Sequence, residues 1–399
     1  MPGSYHDLIW RHNPVLDAPP RYRRACKYRA FVPNRLSGLR FALDVETAGS
    51  VSRAEQTISA LNSGAHPALG PLARLLLRTE SIASSKVEGL QLGARSLARA
   101  EARSDTGERV TPTAREIIAN IDAMELAIEQ AVSNERFTVA DILAIHERLM
   151  NASATPGIAG KIRNEQNWIG GNDYNPCGAG FVPPPPDEVE DLMADLCKTV
   201  NDDTFPPVVQ AALIHAQFET IHPFADGNGR AGRALIHVVL KRRGLATSYV
   251  PPVSVVLARR RKRYIAGLTD FRGDSVVPWI GRFADAAAES ADLARGYLDA
   301  VIRKVEEWRA ALKRRDAPRS DAAAWHVIDA LPAHPMITGP TAIAATRRAR
   351  AAVYQALDQL ERAGVLLPVS QTPRNKVWEA EGLLALLEGL EAGALPPPP

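Results

Sequence analysis

A chain of 399 residues, 46% hydrophobic and 23% charged, has room for two or three domains and a sizeable core, with the ordinary make-up of a globular protein. A net charge of +3 is too small to specify a nucleic-acid or membrane surface by itself. Three cysteines, Cys26, Cys177 and Cys197, are few, odd in number and widely spaced, which argues against a disulfide framework and a zinc site and predicts a reducing compartment.

The opening residues, MPGSYHDLIWRHNP, lack the apolar core of a signal peptide, and no apolar run reaches the ~18 residues of a membrane span. The expected location is cytoplasmic, with no membrane partner. Residues 1 to 36 are rich in Pro, Arg and aromatics without a helical period, which predicts an extended, packed lead-in. Ser52 with Glu55, Thr113 with Glu116, and Thr138 with Asp141 each read as a helix start of the capping-box kind. Few strand patterns occur in the first 160 residues, so the body should be mainly α. A helix is expected from about Leu69 through Leu75-Leu76-Leu77 to Ser84-Ser85-Lys86-Val87-Glu88-Gly89, with Gly89 as the residue just past its end. Glu88 then sets a carboxylate against the carbonyl end of the helix dipole, a cost that a cation from elsewhere would offset. His146 and Glu147 begin a His-Glu-x-x sequence, but Met150 stands where a zinc-protease helix needs its second histidine. They read as helix surface or core.

Residues 160 to 186 break the helical period. Asn167, Trp168 and Ile169, and then Gly180, Phe181 and Val182, read as short strands around a Gly/Asn/Pro-rich tip, with Trp168 packed. Val208 to Ile221 reads as a helix started after Pro206-Pro207, with His215, Phe218 and Ile221 inward and His215 structural. Residues 222 to 233, His-Pro-Phe-Ala-Asp-Gly-Asn-Gly-Arg-Ala-Gly-Arg, are the most specialised twelve in the chain. Gly227 and Gly229 bracket Asn228 just before a helical run, Ala231 to Leu240, so amides can turn toward a ligand without Cβ interference. The N-terminus of a helix adds N–H donors and a partial positive charge, which suits an anion. Arg230 and Arg233 supply forked donors for phosphate oxygens. His222 is a base at neutral pH, and Asp226 is a hard oxygen ligand for Mg²⁺. Together they point to phosphate-ester chemistry on a hydroxyl acceptor.

These twelve residues match, at every defined position, the signature His-x-Phe-x-Asp/Glu-Gly-Asn-Gly-Arg-x-x-Arg, so the chain resembles the Fic-domain family. The resemblance implies a mainly α, Fic-type helical bundle with a short β-hairpin flap. It implies transfer of AMP from ATP·Mg²⁺ to a Tyr, Ser or Thr hydroxyl of a target protein, with self-modification, and a homodimer is compatible with it. It assigns His222 as catalytic base, Pro223, Phe224, Gly227, Asn228, Gly229, Arg230 and Arg233 to ATP, and Asp226 to the metal. It assigns Asn167 to Ile169 and Gly180 to Val182 to the flap, which pairs backbone to backbone with the target. Ser84 to Gly89 match the family's inhibitory motif, Ser/Thr-x-x-x-Glu-Gly/Asn. That match implies that Glu88 pairs with Arg233 and fills room the γ-phosphate needs. Ala30-Phe31-Val32-Pro33 resembles the lead of the N-terminal segment of larger Fic proteins. The rivals are removal of AMP from a modified protein, and transfer of phosphate or phosphocholine, which the intact Gly-Asn-Gly-Arg-x-x-Arg disfavours.

Beyond the motif, Arg259 to Arg263 read as a solvated basic face, and Arg263-Tyr264 stands where Fic relatives carry a tyrosine pair, leaving the adenine contacts unassigned. Trp279 to about Arg315 reads as one or two helices, and Pro318 as a linker. From Ser320 the pattern resembles a small winged helix (α+β): a helix, then Thr338 to Thr346, a recognition helix from about Ala351 to Gly364, and strands around a turn at Gln371 to Asn375. Residues 317 to 399 hold 7 Lys/Arg and 8 Asp/Glu, so DNA contact through this module has no basic footprint in its summed charge. A nucleotide-sensing DNA-binding regulator is the rival of a different class. The expected domains are 1–110 with the inhibitory helix at 69–89, 111–316 with motif and flap, and 317–399 ending in a disordered tail, Pro396 to Pro399.

Overall fold

Among the described residues fifteen α-helices and five strands alternate in a mainly helical chain, as the recurrence of apolar positions at three and four requires. The computed structural model describes residues 3–15, 17–63, 70–105, 107–273, 275–369 and 376–395. Leu69, the turn at 371–375 and the tail at 396–399 lie outside them. No helix of the described residues is long and apolar enough to cross a membrane.

The chain divides into two compact units. One takes Met1–Arg53, Leu126–Gly244 and Lys262–Asp285; the other takes Ala54–Glu125, Leu245–Arg261 and Ala286–Pro399.

The first unit opens on strands β1 (Gly3–Trp10) and β2 (Cys26–Pro33), paired antiparallel from Gly3↔Pro33 to Trp10↔Cys26. The expected lead-in is thus regular sheet, and the reading that strand patterns are sparse at this end is corrected. Arg and Tyr at the exposed positions hid the alternation, because only Ala30, Phe31 and Pro33 of β2 are buried. The sheet leads to α5 (Val139–Met150), α6 (Pro186–Val200), α7 (Pro207–Ile221) and α8 (Asn228–Arg242). Thr138 caps α5 with Asp141 in a full capping box, as expected. Pro207 opens α7 at its first position, where a missing N–H costs nothing. Helix α7 packs against α6, α8 and β2 and is buried along nearly its whole length. The α7–α8 approach is close at Gly232, where a Cβ would fall 2.9 Å from Phe218 Cδ1. Helix α10 (Arg261–Phe271) adds Tyr264, whose hydroxyl meets His215 Nε2 at 3.0 Å; His215 is wholly buried and structural.

The three cysteines depart from expectation. Cys26 and Cys177 are joined in a disulfide across a separation of 151 residues, with Cα atoms 6.3 Å apart, while Cys197 is free and buried. Wide spacing was the wrong signal, since tertiary contact and not sequence distance sets which sulfurs meet.

The second unit holds α2 (Gly70–Val87), α3 (Ala94–Asp105), α9 (Val253–Arg259), most of the single long helix α11 (Val277–Arg315), and the C-terminal elements. Two expected helix starts are displaced. Ser52 lies inside α1 (Val45–Ser63), and α4 (Pro112–Ser133) is capped by Thr111, whose Oγ1 accepts from the Ala114 N–H, so Thr113 lies inside it. The C-terminal elements run α12 (Ala323–Ala330), β3 (Met336–Thr338), α13 (Gly339–Thr346), α14 (Arg350–Arg362), β4 (Leu366–Pro368), β5 (Val377–Ala380) and α15 (Leu383–Glu391). The sheet order is β3-β5-β4, and Thr338 caps α13 through its side chain.

Candidate active site

The loop between α7 and α8 is built to hold an unusual shape. His222 ends α7 in the left-handed region at φ 49°, which costs a non-glycine residue about 1–3 kcal/mol and persists only where neighbours over-determine it. The neighbours are named. Arg163 Nε donates to His222 O at 2.8 Å, while its Nη2 donates to Pro184 O at 2.6 Å and its Nη1 to Glu165 O at 3.0 Å. The Arg163 N–H donates to Pro223 O at 2.9 Å. Burial pulls this guanidinium down to about 10, still charged at neutral pH.

Below the loop lies His146. Its ring stacks flat on Phe224, with centroids 3.7 Å apart and planes 5° apart. The Gly160 N–H donates to its Nδ1 at 3.1 Å, so Nε2 carries the proton and donates to Asp226 O at 2.9 Å. Burial first, offset in part by the hydrogen bond to Asp226, lowers the imidazole to about 4. His146 is therefore the neutral floor of the loop.

The motif residues then fall into inward and outward sets. Phe224 is fully buried against Phe218 and His146. Asn228 is 3% exposed and stapled to Phe224: its Oδ1 accepts the Phe224 N–H and its Nδ2 donates to Phe224 O, both at 2.8 Å. Gly227, at φ 79°, caps α8 in a conformation that suits glycine, and a Cβ there would fall 2.9 Å from Met150 Sδ. The first helical bond runs from the Ala231 N–H to Gly227 O, so the amides of Asn228 and Gly229 sit at the open end of the helix. Asp226 is exposed and accepts the Gly227 N–H on Oδ1 at 2.6 Å. Pro223 is buried and Gly229 half-buried. Arg230 and Arg233 are 4% and 1% exposed, with Arg230 Nη2 3.9 Å from Met150 Sδ. His215 is brought down to about 3 by burial first and then by the Arg233 charge.

The 167–182 segment reaches this loop directly. Asn167 Nδ2 donates to Phe224 O at 3.0 Å and reaches His222 O at 3.4 Å. Ile169 and Phe181 form one antiparallel bridge with reciprocal bonds of 2.8 and 3.1 Å, so the expected strands are reduced to a single pair. Gly180 is exposed at this bridge, and the Phe31 N–H donates to Val182 O at 2.9 Å. Trp168 meets the Trp10 ring edge-on at 5.8 Å. Arg272 lies over the Phe181 ring at 3.7 Å.

In the second unit, Ser84 is fully buried and α2 ends at Val87 in a Schellman arrangement. The Gly89 N–H donates to Lys86 O at 3.0 Å and the Leu90 N–H to Ser85 O at 3.1 Å, with Gly89 at φ 90°. Glu88 is exposed just past the helix. A cation does stand at this carbonyl end, as Arg261 Nε donates to Val87 O at 3.0 Å. Buried Glu80 accepts the Ser254 N–H at 2.8 Å and the Ser254 hydroxyl at 2.6 Å, which fixes α2 to the N-terminus of α9.

Residues 136–240 match the Fic/DOC family and residues 49–129 its N-terminal family. The chain is 30% identical over 163 residues to the protein adenylyltransferase fic-1 of Caenorhabditis briggsae, covering 39% of this chain and 29% of that protein. It is 32% identical over 181 residues to the protein adenylyltransferase Fic of Drosophila erecta, covering 45% and 33%. The chain thus spans about a third of the length of these relatives. In structure it resembles a Fic family protein from Desulfovibrio desulfuricans, with a TM-score of 0.52 at 21% identity, over 86% of this chain and 98% of that one. Caenorhabditis elegans Fic-1 (residues 134–508) superposes with a TM-score of 0.50 at 22% identity, over 64% and 73%. At these identities the likeness establishes the fold.

Sequence reasoning singled out the 222–233 loop and its helix, read His146 only as helix surface or core, and missed Arg163 and Arg272. A side chain that bonds distant main-chain carbonyls, as Arg163 and His146 do, or lies over a distant ring, as Arg272 does, carries no local pattern, so only the fold reveals it.

Proposed function

We propose that the protein is an adenylyltransferase that moves AMP from ATP to a Tyr, Ser or Thr hydroxyl of a target protein and of itself. The observation that supports this reading is the tie between Asn167 and the carbonyls of Phe224 and His222, which holds the start of the 167–182 segment against the loop that carries the proposed base. The phosphates lie against the first turn of α8, on the amides of Asn228 and Gly229. Because the Asn228 side chain is committed to Phe224, its contribution to a phosphate is through its main chain. Arg230 and Arg233 take the outer phosphate oxygens. Among the described residues no cluster of three His, Cys, Asp or Glu side chains is set to hold a metal alone. One exposed carboxylate, Asp226, fits Mg²⁺ that is shared with phosphates and water. There the ion would neutralise phosphate charge.

A target segment pairs with the 167–182 flap and brings its hydroxyl to His222. The imidazole takes the hydroxyl proton, the oxygen attacks the α-phosphorus, and pyrophosphate leaves with the electrons of the broken P–O bond. Fixed amides and arginines meet the charge that develops without rearranging. Glu88 holds the site off at rest. The experiment is incubation of Glu88→Gly protein with ATP labelled in the α-phosphate and a cell lysate, beside the same protein carrying His222→Ala. Labelled protein bands should appear in the first and be absent from the second; equal labelling in both would sink the assignment of the base.

A second role, DNA contact at α14, is favoured by how charge is distributed in 317–399. Glu379 and Glu388 pair with Arg95, Glu391 with Lys86, and Glu361 with Lys376, whereas Arg347 and Arg350 are exposed at the start of α14. The summed charge conceals a basic helix start. Gel-shift binding to duplex DNA that weakens steeply with salt would support it, and no binding at low salt would end it.

A further inference from the structure

The 167–182 loop carries little regular structure of its own. Beyond the Ile169–Phe181 bridge its internal bonds are short-range: Asn172 Oδ1 accepts the Tyr174 and Asn175 N–H groups at 2.9 and 3.0 Å, and Trp168 Nε1 donates to Asn172 O at 2.6 Å. Its order is borrowed in part from the N-terminal strands, through the Trp10 ring on Trp168 and through two ties to β2. At the base, β2 holds the loop through the Phe31 N–H and Val182 O. At the tip, Cys177 is bonded to Cys26, the first residue of β2. The two ties are five residues apart in both segments, so the loop's second arm runs alongside β2 in the same direction.

Around the disulfide the non-covalent contacts are few. The Tyr22 and Tyr174 rings stack at 5.0 Å, and Asn175 Nδ2 donates to Tyr22 O at 3.0 Å. Both bonded cysteines are half-buried, so neither is sealed in the core, and exchange needs access to a sulfur. The third cysteine cannot compete for them. Cys197 is buried in α6, and burial first, then the Asp141 charge, pushes its thiol up to about 12, so it stays protonated.

We propose that Cys26–Cys177 is a thiol–disulfide exchange site, served by a dithiol reductant, whose oxidised form holds the 167–182 loop in the shape that docks the acceptor protein. The docking half rests on the reading of that loop given above. In the exchange, one thiolate of the dithiol attacks one sulfur of the pair, the S–S bond breaks, and the other cysteine leaves and takes a proton. The second thiol of the reductant then displaces the remaining cysteine and closes its own disulfide. Two electrons pass from the dithiol to the cystine. Reduction keeps the base tie at Val182 and releases the tip, so a docking acceptor must then order the tip itself. The nucleotide loop at 222–233 keeps its own supports, Arg163 and His146.

The test compares full-length protein before and after dithiothreitol, with alkylation and mass measurement to count the thiols. Peptides covering 167–182 should exchange amide hydrogen faster after reduction, on the order of tenfold, while those of 228–242 stay unchanged. The Cys26→Ser/Cys177→Ser double variant should show the fast exchange and ignore dithiothreitol. Equal loop exchange in both redox states would overturn the clamp. In a Glu88→Gly background, the lysate concentration that half-saturates the strongest labelled band should rise roughly tenfold on reduction, with the KM for ATP unchanged. An unchanged half-saturation would overturn the docking half. Absence of labelling in either redox state would instead sink the proposed function, and the exchange arm would still decide the clamp.

Discussion

Arg163 Nε lies 2.8 Å from the main-chain oxygen of His222, and the same guanidinium donates to Pro184 O and Glu165 O. One buried fork therefore holds the main chain of the proposed base and the two segments that flank the 167–182 loop. Arg163→Met removes donors from one interior carbonyl, Pro184 O, and from two part-buried ones, which should cost about 3 kcal/mol in urea unfolding. At temperatures where it is folded, AMP transfer should fall roughly 100-fold through misplacement of the base. Wild-type transfer in a folded variant would show that the His222 conformation does not depend on this fork.

His146 should make stability fall in mild acid. Its usual value is near 6.5 and its folded value about 4. Between those values the unfolded chain binds a proton that the folded chain refuses, so stability is whole above about pH 6.5 and is lost as pH drops toward 4. The full effect is about 3 kcal/mol. His215, lowered to about 3, acts in the same direction. Urea unfolding from pH 7 to 4.5 should show the decline, and His146→Gln should make it shallower. An equal slope in the variant would mean that His146 titrates normally.

Glu88→Gly should raise self-labelling from α-labelled ATP roughly tenfold or more, a size usual for coupling between a regulatory contact and a site. No change, or a decrease, would remove Glu88 from the inhibitory role. Glu88 is itself exposed just past α2, so the substitution opens no cavity in the interior.

Glu80→Ala tests the support of α2. The carboxylate is fully buried and accepts both the main-chain N–H and the hydroxyl of Ser254 at the start of α9. Its loss leaves two interior donors unpaired and should cost about 2–3 kcal/mol in urea unfolding. If α2 sets the inhibitory segment, the variant should also label itself faster; stability lost with basal labelling unchanged would separate the two roles.

Gly89 illustrates what could be read locally. Its place after an amphipathic run marked it as the C′ residue, and the Schellman bonds follow. The Thr138–Asp141 box and the Pro207 helix start were legible for the same reason: the partners are within four residues. Ser52 carried the same pattern and failed because the helix already continues through it, whereas Thr113 missed by two residues because Thr111 caps the helix that Pro112 opens.

The sequence by itself singled out the residues from His222 to Arg233 as a loop before a helix, and glycine, base, carboxylate and arginines at fixed spacing are the ground for proposing that it handles phosphate. Only the tertiary structure decided how that loop is held. Arg163, His146 and Asn167 reach it from other elements, and Cys26 finds Cys177 across 151 residues. Hydrogen bonds to main-chain carbonyls, and a bond between sulfurs far apart in the chain, depend on where the backbone passes in space and leave no period in the sequence.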